Sequence, residues 1–327
     1  MAQASAVKRF QAGDYKYEHV EGWGRFPGIE ELLAHEHAGS GVVSDIATDS
    51  QDRVYACVRT KREPPDHNEG EIWVFDRNGN HLASWGKDIF DTPHGMWIGP
   101  DDDIYHTDSG NHTVTKFDTD GRVLMTLGTK GKLGLPGEPF RSPTRAVFSS
   151  SGDIFVSDGY QQNRCHRFTA DGKKVLSWGS GDPVFYQQYV LGNVTGTAAS
   201  GPGEFNLPHD ITLDRNDRAY VLDRSNGRLQ VFTNEGEFIE QWTDVPGGND
   251  SVIDENDVMH IATGHSGIMV RTLDGKSIGV WGERGEEPGQ FQNRPGAGPH
   301  GIWIDSHGDV YVAEVGAKLA LQKFARV

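Results

Sequence analysis

One pattern recurs along this 327-residue chain and limits its possible folds more than any other feature. Each copy opens with an apolar strand, which in most copies starts at Pro-His or Pro-Thr. An Asp/Gly turn leads to a second strand, and a polar turn leads to a third strand that ends in Phe. A second Asp-Gly type turn precedes a last strand that ends in Trp-Gly or Leu-Gly. Such a repeat predicts four-stranded units that bury their apolar faces against one another.

The chain carries six copies of this unit. They run from about Ser44 to Gly86, Pro93 to Gly128, Pro143 to Gly179, Pro208 to Trp242, about Asn249 to Gly282, and Pro299 to Val327. The first copy is enlarged by a polar insertion at Lys61–Gly70, and the sixth has only three strands. Tyr15–Gly24 ends in the same Trp-Gly and is predicted to supply the missing outer strand.

The repeat therefore predicts an all-β fold, a six-bladed β-propeller closed by an N-terminal strand that completes the last blade. Residues 15–327 would form one domain, and residues 1–14 an N-terminal arm. The alternative, a pair of β-sandwiches, does not produce an in-register repeat.

Composition narrows the class of partner. The formal net charge of −16 at pH 7 argues against binding to nucleic acid or to anionic membranes. The two cysteines, Cys57 and Cys165, lie far apart and lack metal-binding spacing. Met1–Arg9 has no apolar core like that of a signal peptide, and no stretch approaches a membrane span of about 20 apolar residues. We expect a soluble, cytoplasmic protein that acts on a small molecule.

Three histidines share one position of the repeat. Counting back ten positions from the aligned residues Ile104, Ile154, Ala219 and Val310 gives His94, Thr144, His209 and His300. The histidines thus fall in blades 2, 4 and 6, separated by roughly 120° in a six-bladed ring. They are predicted to converge on the axis as a three-histidine zinc site with an open fourth position. Imidazole also suits iron, copper and nickel, so the identity of the metal stays open.

A second group of candidates follows the second strand of each blade. In blade order these residues are Arg59, Ser109, Gly159 with Tyr160, Arg224, Thr263 and Val315. Arginine binds carboxylates in bidentate fashion, and a tyrosine beside cations favours its phenolate and can serve as a general base. The structural alternative is that the arginines pair with acidic side chains and that the tyrosine only lines the site. His265, near the same face of blade 5, is a further candidate.

These residues resemble a known family. The most specific segments are Thr92–Met96, Ser157–Tyr160, Leu207–Asp210, Asp223–Phe232 and Gly298–Gly301. Together they resemble peptidyl-α-hydroxyglycine α-amidating lyase, within the NHL-repeat propellers, over about Ser44 to Phe324. The resemblance implies that the three histidines hold a catalytic zinc and that Tyr160 takes a proton from the substrate hydroxyl. It also implies that Arg224 and Arg59 hold a carboxylate while a carbinolamide C–N bond is cleaved to an amide and glyoxylate.

Several positions depart from that family. Gly301 replaces the family's Asp that helps bind a structural calcium, which argues against calcium here. Gly298 replaces a methionine, and Gln161 stands where a disulfide cysteine is expected. Arg145 replaces an Asp and adds a cation that we expect to contact the substrate.

Three functions follow from these features. The first is a zinc-dependent lyase acting on a hydroxylated, carboxylate-bearing small substrate. The second is a zinc-dependent hydrolase or hydratase of a lactone or amide that uses water activated by the metal. The third is a non-catalytic NHL-repeat scaffold for binding.

Overall fold

The computed structural model describes residues 7–25, 43–61, 68–179, 199–264, 267–292, 298–316 and 320–327. The strands of the N-terminal segment and of the first three repeats are β1 (Arg9–Ala12), β2 (Tyr15–His19), β3 (Val43–Thr48), β4 (Val54–Lys61), β5 (Asn68–Phe75), β6 (His81–Trp85), β7 (Pro93–Ile98), β8 (Ile104–Asp108), β9 (Thr113–Phe117), β10 (Val123–Gly128), β11 (Pro143–Phe148), β12 (Ile154–Asp158), β13 (Arg164–Phe168) and β14 (Lys174–Trp178). The remaining strands are β15 (Pro208–Leu213), β16 (Ala219–Asp223), β17 (Arg228–Phe232), β18 (Phe238–Trp242), β19 (Gly248–Ile253), β20 (Val258–Thr263), β21 (Gly267–Thr272), β22 (Ser277–Trp281), β23 (Glu283–Arg284), β24 (Gln290–Phe291), β25 (Gly298–Ile304), β26 (Val310–Val315) and β27 (Leu321–Arg326).

The strands form six sheets in a closed ring. Blades 1 to 5 are four-stranded antiparallel meanders: β3–β6, β7–β10, β11–β14, β15–β18 and β19–β22. Innermost strands of successive blades contact one another in the order β3, β7, β11, β15, β19 and β25, and β25 returns to β3. This arrangement confirms the predicted six-bladed propeller. The short parallel pair β23 and β24 lies in the connection between blades 5 and 6.

The sixth blade joins both ends of the described chain. Its strand order is β1-β2-β27-β26-β25, and β2 pairs antiparallel with β27, with Tyr17 opposite Arg326. The predicted closing strand is therefore confirmed, although it ends at His19 because the chain turns before Trp23. Arg9–Ala12, within the segment expected to be an arm, pairs with β2 as a fifth strand.

Burial differs between the inner and outer strands of a blade. The second strands β8, β12 and β16 are buried at every residue and consist largely of β-branched, aromatic and small side chains. The fourth strands β10, β14 and β18 expose most of their side chains. The inner strands are covered by side chains on both faces, which explains why the apolar repeat is strongest there.

Tryptophans at the ends of outer strands, or in the turn just after them, pack on turn glycines of the next blade. A Cβ placed on Gly121 of blade 2 would lie 2.6 Å from the Trp85 ring of blade 1, and Gly121 has φ +81°. Both the contact and the positive φ therefore require glycine. The same contact joins Trp178 to Gly236, Trp242 to Gly275 and Trp23 to Gly79. These pairs explain the recurrence of both residues in the repeat.

Among the described residues no helix has the length and apolar character needed to cross a bilayer. A short 3-10 helix at Arg224–Asn226 follows β16.

Candidate metal centre

The start of each innermost strand faces the axis of the ring, and the three aligned histidines meet there. His94 and His209 are the second residues of β7 and β15, and His300 is the third residue of β25. Their ring centroids are 4.8 to 5.0 Å apart, and one ring nitrogen from each lies within 4.8 Å of the others. All three side chains are buried. We call these residues the histidine layer.

Backbone carbonyls of the intervening blades orient the three rings. Each Nδ1 atom lies within hydrogen-bond distance of a carbonyl oxygen from the position that aligns with the histidines in the neighbouring odd-numbered blade. For His94, His209 and His300 the acceptors are the oxygens of Thr144 at 2.8 Å, Asn249 at 2.6 Å and Ser44 at 2.6 Å. Because a carbonyl only accepts, each Nδ1 carries the proton and each Nε2 presents a lone pair.

The electrostatic environment keeps these rings neutral. Burial, aided by the other two imidazoles and Arg59, holds the pKa of His94 well below its usual range. Burial and the Arg224 guanidinium do the same to the pKa of His209. Burial, Arg59 and Arg224 lower the pKa of His300 to about 3. Neutral imidazole is the form that binds metal ions.

The donor set fits a divalent transition metal. One ring nitrogen from each of three blades lies within 4.8 Å of the other two, and the hydrogen bonds at Nδ1 leave Nε2 as the free ligand atom. Carbonyl groups in that outer position are typical partners of metal-binding histidines. Three histidine nitrogens with a fourth position left for substrate are the ligand set of catalytic zinc sites.

Tyr160 lies directly against the histidine layer. Its hydroxyl is 2.8 Å from His94 Nε2 and 2.9 Å from His209 Nε2. A Cβ on the preceding Gly159 would lie 2.2 Å from the carbonyl oxygen of Pro208, so only glycine lets this segment approach blade 4 so closely. The structure therefore brings the predicted tyrosine to the atoms that would hold a metal.

The two predicted arginines border the same centre. Arg59, on β4, donates from Nε to the carbonyl oxygen of Pro93 at 2.7 Å, which places it beside His94. Arg224 begins the 3-10 helix after β16, where its backbone N–H donates to Leu207 O at 3.1 Å. Both guanidinium groups lower the pKa of His300, so both act electrostatically on the histidine layer. The remaining candidate, His265, lies outside the described residues.

Arg145 occupies a different place from the one predicted. Its side chain is 2% exposed, and its guanidinium lies among three carboxylates one residue further along the innermost strands than the histidines. Nη1 contacts Asp45 Oδ2 and lies 2.8 Å from Asp250 Oδ1, while Nε is 3.7 Å from Asp210 Oδ1. This placement does not fit the predicted substrate contact, because carboxylates and the ring of Trp97 surround the guanidinium. We call these four charged residues the carboxylate layer.

The three aspartates were missed in the sequence. Each directly follows the aligned position of its blade: Asp45 follows Ser44, Asp210 follows His209, and Asp250 follows Asn249. Extending the alignment by one residue would have found them. Burial raises the pKa of Asp45 and Asp250, and it raises the pKa of Asp210 to about 8.

Comparison with known proteins agrees with this architecture. A family model for the NHL repeat matches residues 205–232. Human NHL repeat-containing protein 3 is 31% identical over 273 residues, which cover 79% of this chain and 73% of that protein. The chain belongs to the NHL-repeat propeller family that includes this protein.

Enzymes also occur among its relatives. Peptidyl-α-hydroxyglycine α-amidating lyase 1 of Drosophila melanogaster is 32% identical over 169 residues, which cover 50% of this chain and 29% of that protein. The structure of a streptogramin B lyase superposes with a TM-score of 0.56 over 99% of this chain and 100% of that one. At 15% identity, the second likeness shows a shared fold alone.

Proposed function

We propose that this protein is a zinc-dependent lyase that cleaves a C–N bond in a small substrate carrying a hydroxyl and a carboxylate. The observation that carries the proposal is the histidine layer, where three buried, neutral imidazoles bring ring nitrogens within 4.8 Å of one another. A non-catalytic scaffold has no need of three imidazoles gathered on its axis with their Nδ1 atoms held by backbone carbonyls. The 32% sequence identity to a hydroxyglycine amidating lyase over 169 residues supports this class of reaction.

His94, His209 and His300 would hold the ion, and when bound it would supply Lewis acidity toward the substrate hydroxyl. The hydroxyl of Tyr160 lies 2.8 and 2.9 Å from two of the three Nε2 atoms, so a substrate group at this centre would lie within its reach. Cationic surroundings favour the ionised form of a phenol. Tyr160 would accept the hydroxyl proton as the carbon–oxygen double bond forms and the C–N bond breaks. The amide nitrogen would leave with the electron pair of that bond and would take up the proton that the Tyr160 hydroxyl had accepted.

Arg59 and Arg224 would hold the carboxylate. They flank the histidine layer from blades 1 and 4, and both guanidinium groups lower the pKa of His300, which supports a role for them beside this centre. A planar guanidinium binds a carboxylate through two parallel hydrogen bonds and so fixes its orientation. The substrate would thus be oriented with its hydroxyl toward the histidines and Tyr160.

The proposal is tested by measuring glyoxylate release from N-acyl-α-hydroxyglycines by the zinc-loaded protein. Lactones and simple amides are assayed in parallel, and hydrolysis of these compounds without glyoxylate release would favour the hydrolase. If the folded protein binds no transition metal, both the lyase and the hydrolase proposals are contradicted and the binding scaffold is favoured.

Replacement of Tyr160 tests its role as the base. Y160F should keep its zinc and lose turnover by about 100-fold or more, since general-base catalysis contributes about 10² to 10⁴. The control Y220F removes a hydroxyl that contacts Asp214 on blade 4 and should leave turnover unchanged. Unchanged turnover in Y160F would remove Tyr160 from the mechanism.

A further inference from the structure

The carboxylate layer brings one guanidinium and three carboxyl groups together from four blades. Arg145 extends from blade 3, and Asp45, Asp210 and Asp250 come from blades 1, 4 and 5. All four side chains are at most 4% exposed. Carboxylates this deeply buried need a cation beside them, because an uncompensated buried charge is strongly unfavourable.

The same carboxylates join neighbouring blades. Asp45 Oδ2 accepts the backbone N–H of Met96 at 2.6 Å, and Asp250 Oδ2 accepts that of Ile302 at 2.7 Å. Asp210 Oδ2 accepts the hydroxyl of Ser251 at 2.5 Å. Met96 and Ile302 each lie two residues beyond a histidine of the histidine layer. The cation between the carboxylates therefore also stabilises the positions of the strands that carry His94 and His300.

The oxygens around Arg145 form the type of site that a hard divalent cation takes. Oδ1 of Asp210 and Oδ1 of Asp250 are buried, and neither accepts a hydrogen bond of good geometry within the described residues. Both point toward the guanidinium, at 3.7 and 2.8 Å. Carboxylate oxygens are the preferred ligands of Ca²⁺, which would compete with a guanidinium for this place.

We infer that the Arg145 guanidinium is a covalently attached substitute for a divalent cation on the propeller axis. It occupies the space between three carboxylates that would otherwise form a calcium site. The structural calcium of the resembling lyases does not fit this chain, and Gly301 gives an independent reason. A Cβ at position 301 would lie 2.6 Å from both Cα and Oδ1 of Asp45, which leaves no room for the aspartate found there in that family.

The wild-type chain gives the first test. Protein stripped of metals and reloaded with one equivalent of Zn²⁺ is heated with CaCl₂, with MgCl₂ or with a calcium-selective chelator. The midpoint of thermal unfolding should be the same in all three conditions. A midpoint raised by Ca²⁺ and lowered by the chelator would overturn the inference, because it would show that a calcium site already exists beside Arg145.

The variant R145N gives the second test. Without Ca²⁺ it should unfold at a lower temperature than the wild type, because three carboxylates lose their cation. Saturating Ca²⁺ should raise its midpoint by roughly 4–6 °C, the size expected for a ligand at about 100 to 1,000 times its Kd in a chain of this length. Mg²⁺ should raise it much less, because Mg²⁺ demands a stricter geometry and dehydrates reluctantly.

The control is R228N. Arg228 is also buried and pairs with one carboxylate, Asp223, at 2.8 Å. Its loss should lower the midpoint with no recovery in Ca²⁺, because a single carboxylate does not make a calcium site. An R145N protein that Ca²⁺ does not stabilise, or that refolds from denaturant neither with nor without Ca²⁺, would contradict the inference.

Discussion

Replacing Gly95 with alanine tests whether neighbouring blades set the positions of the histidines. A Cβ at this position would lie 2.2 Å from the carbonyl oxygen of Thr144, more than 1 Å short of the 3.4 Å at which ordinary contact begins. That oxygen accepts the Nδ1 hydrogen bond of His94 and a hydrogen bond from the hydroxyl of Thr107. The obstacle is backbone, so the strand that carries His94 has to move.

The expected cost of G95A follows from this displacement. Overpacking of about one methyl group lowers the free energy of unfolding by about 1–3 kcal/mol. Loss of the outer hydrogen bond of a metal-binding histidine weakens metal affinity by about 10- to 100-fold. Urea unfolding measures the first effect, and competition with a chromophoric zinc chelator measures the second.

The control separates backbone strain from displacement of the site. Gly137 has φ +82° and no neighbour within 4 Å of an added Cβ, so G137A should lose about 1–2 kcal/mol of stability from its left-handed backbone alone. Its zinc affinity should equal that of the wild type. If G95A binds zinc as tightly as G137A, the carbonyl of Thr144 does not position His94 and the reasoning fails.

Two further predictions concern stability. Burial raises the pKa of Glu314 to about 7. The native state therefore holds a proton that the unfolded chain releases near pH 4.3, and the free energy of unfolding should fall as pH rises from about 5 to 7, by up to about 1.4 kcal/mol per pH unit. Urea unfolding across this range should show a steeper fall in wild type and in the exposed control E237Q than in E314Q, because the buried Asp45, Asp210 and Asp250 contribute to the fall in all three proteins. An equal slope in E314Q and wild type would contradict the assignment. Y15F removes the 2.8 Å hydrogen bond from the Tyr15 hydroxyl to Asp254, which joins the closing strand to blade 5. The substitution should lower the free energy of unfolding, measured in urea, by about 1.5–3 kcal/mol. A variant as stable as the wild type would show that the contact contributes nothing.

The fold was predictable because the copies of the repeat can be aligned with one another position by position. The Asp/Gly turns and the closing Trp-Gly recur in most blades, so an alignment of the copies predicts the inner strands and the N-terminal closure. The strand β1 was not predicted, since its four residues, Arg-Phe-Gln-Ala, are too short to show a period. Its place in the sheet depends on pairing with β2.

The histidine layer was accessible to sequence reasoning for the same reason, since equivalent positions of a closed ring meet at its centre. The carboxylate layer was not found, because an aspartate after a turn resembles a residue that stabilises the local backbone. Asp45 and Arg145 are 100 residues apart in the chain, and only ring closure brings them together. Arg145 was expected to contact the substrate, but its guanidinium lies among aspartates from three other blades.

The most direct test of the metal centre is a crystal structure of the purified protein with anomalous scattering recorded at the zinc edge. A single anomalous peak on the axis, bonded to Nε2 of His94, His209 and His300, is the predicted result. A map with no ion at this point after zinc loading, or with the ion bound elsewhere in the chain, would contradict the proposed function.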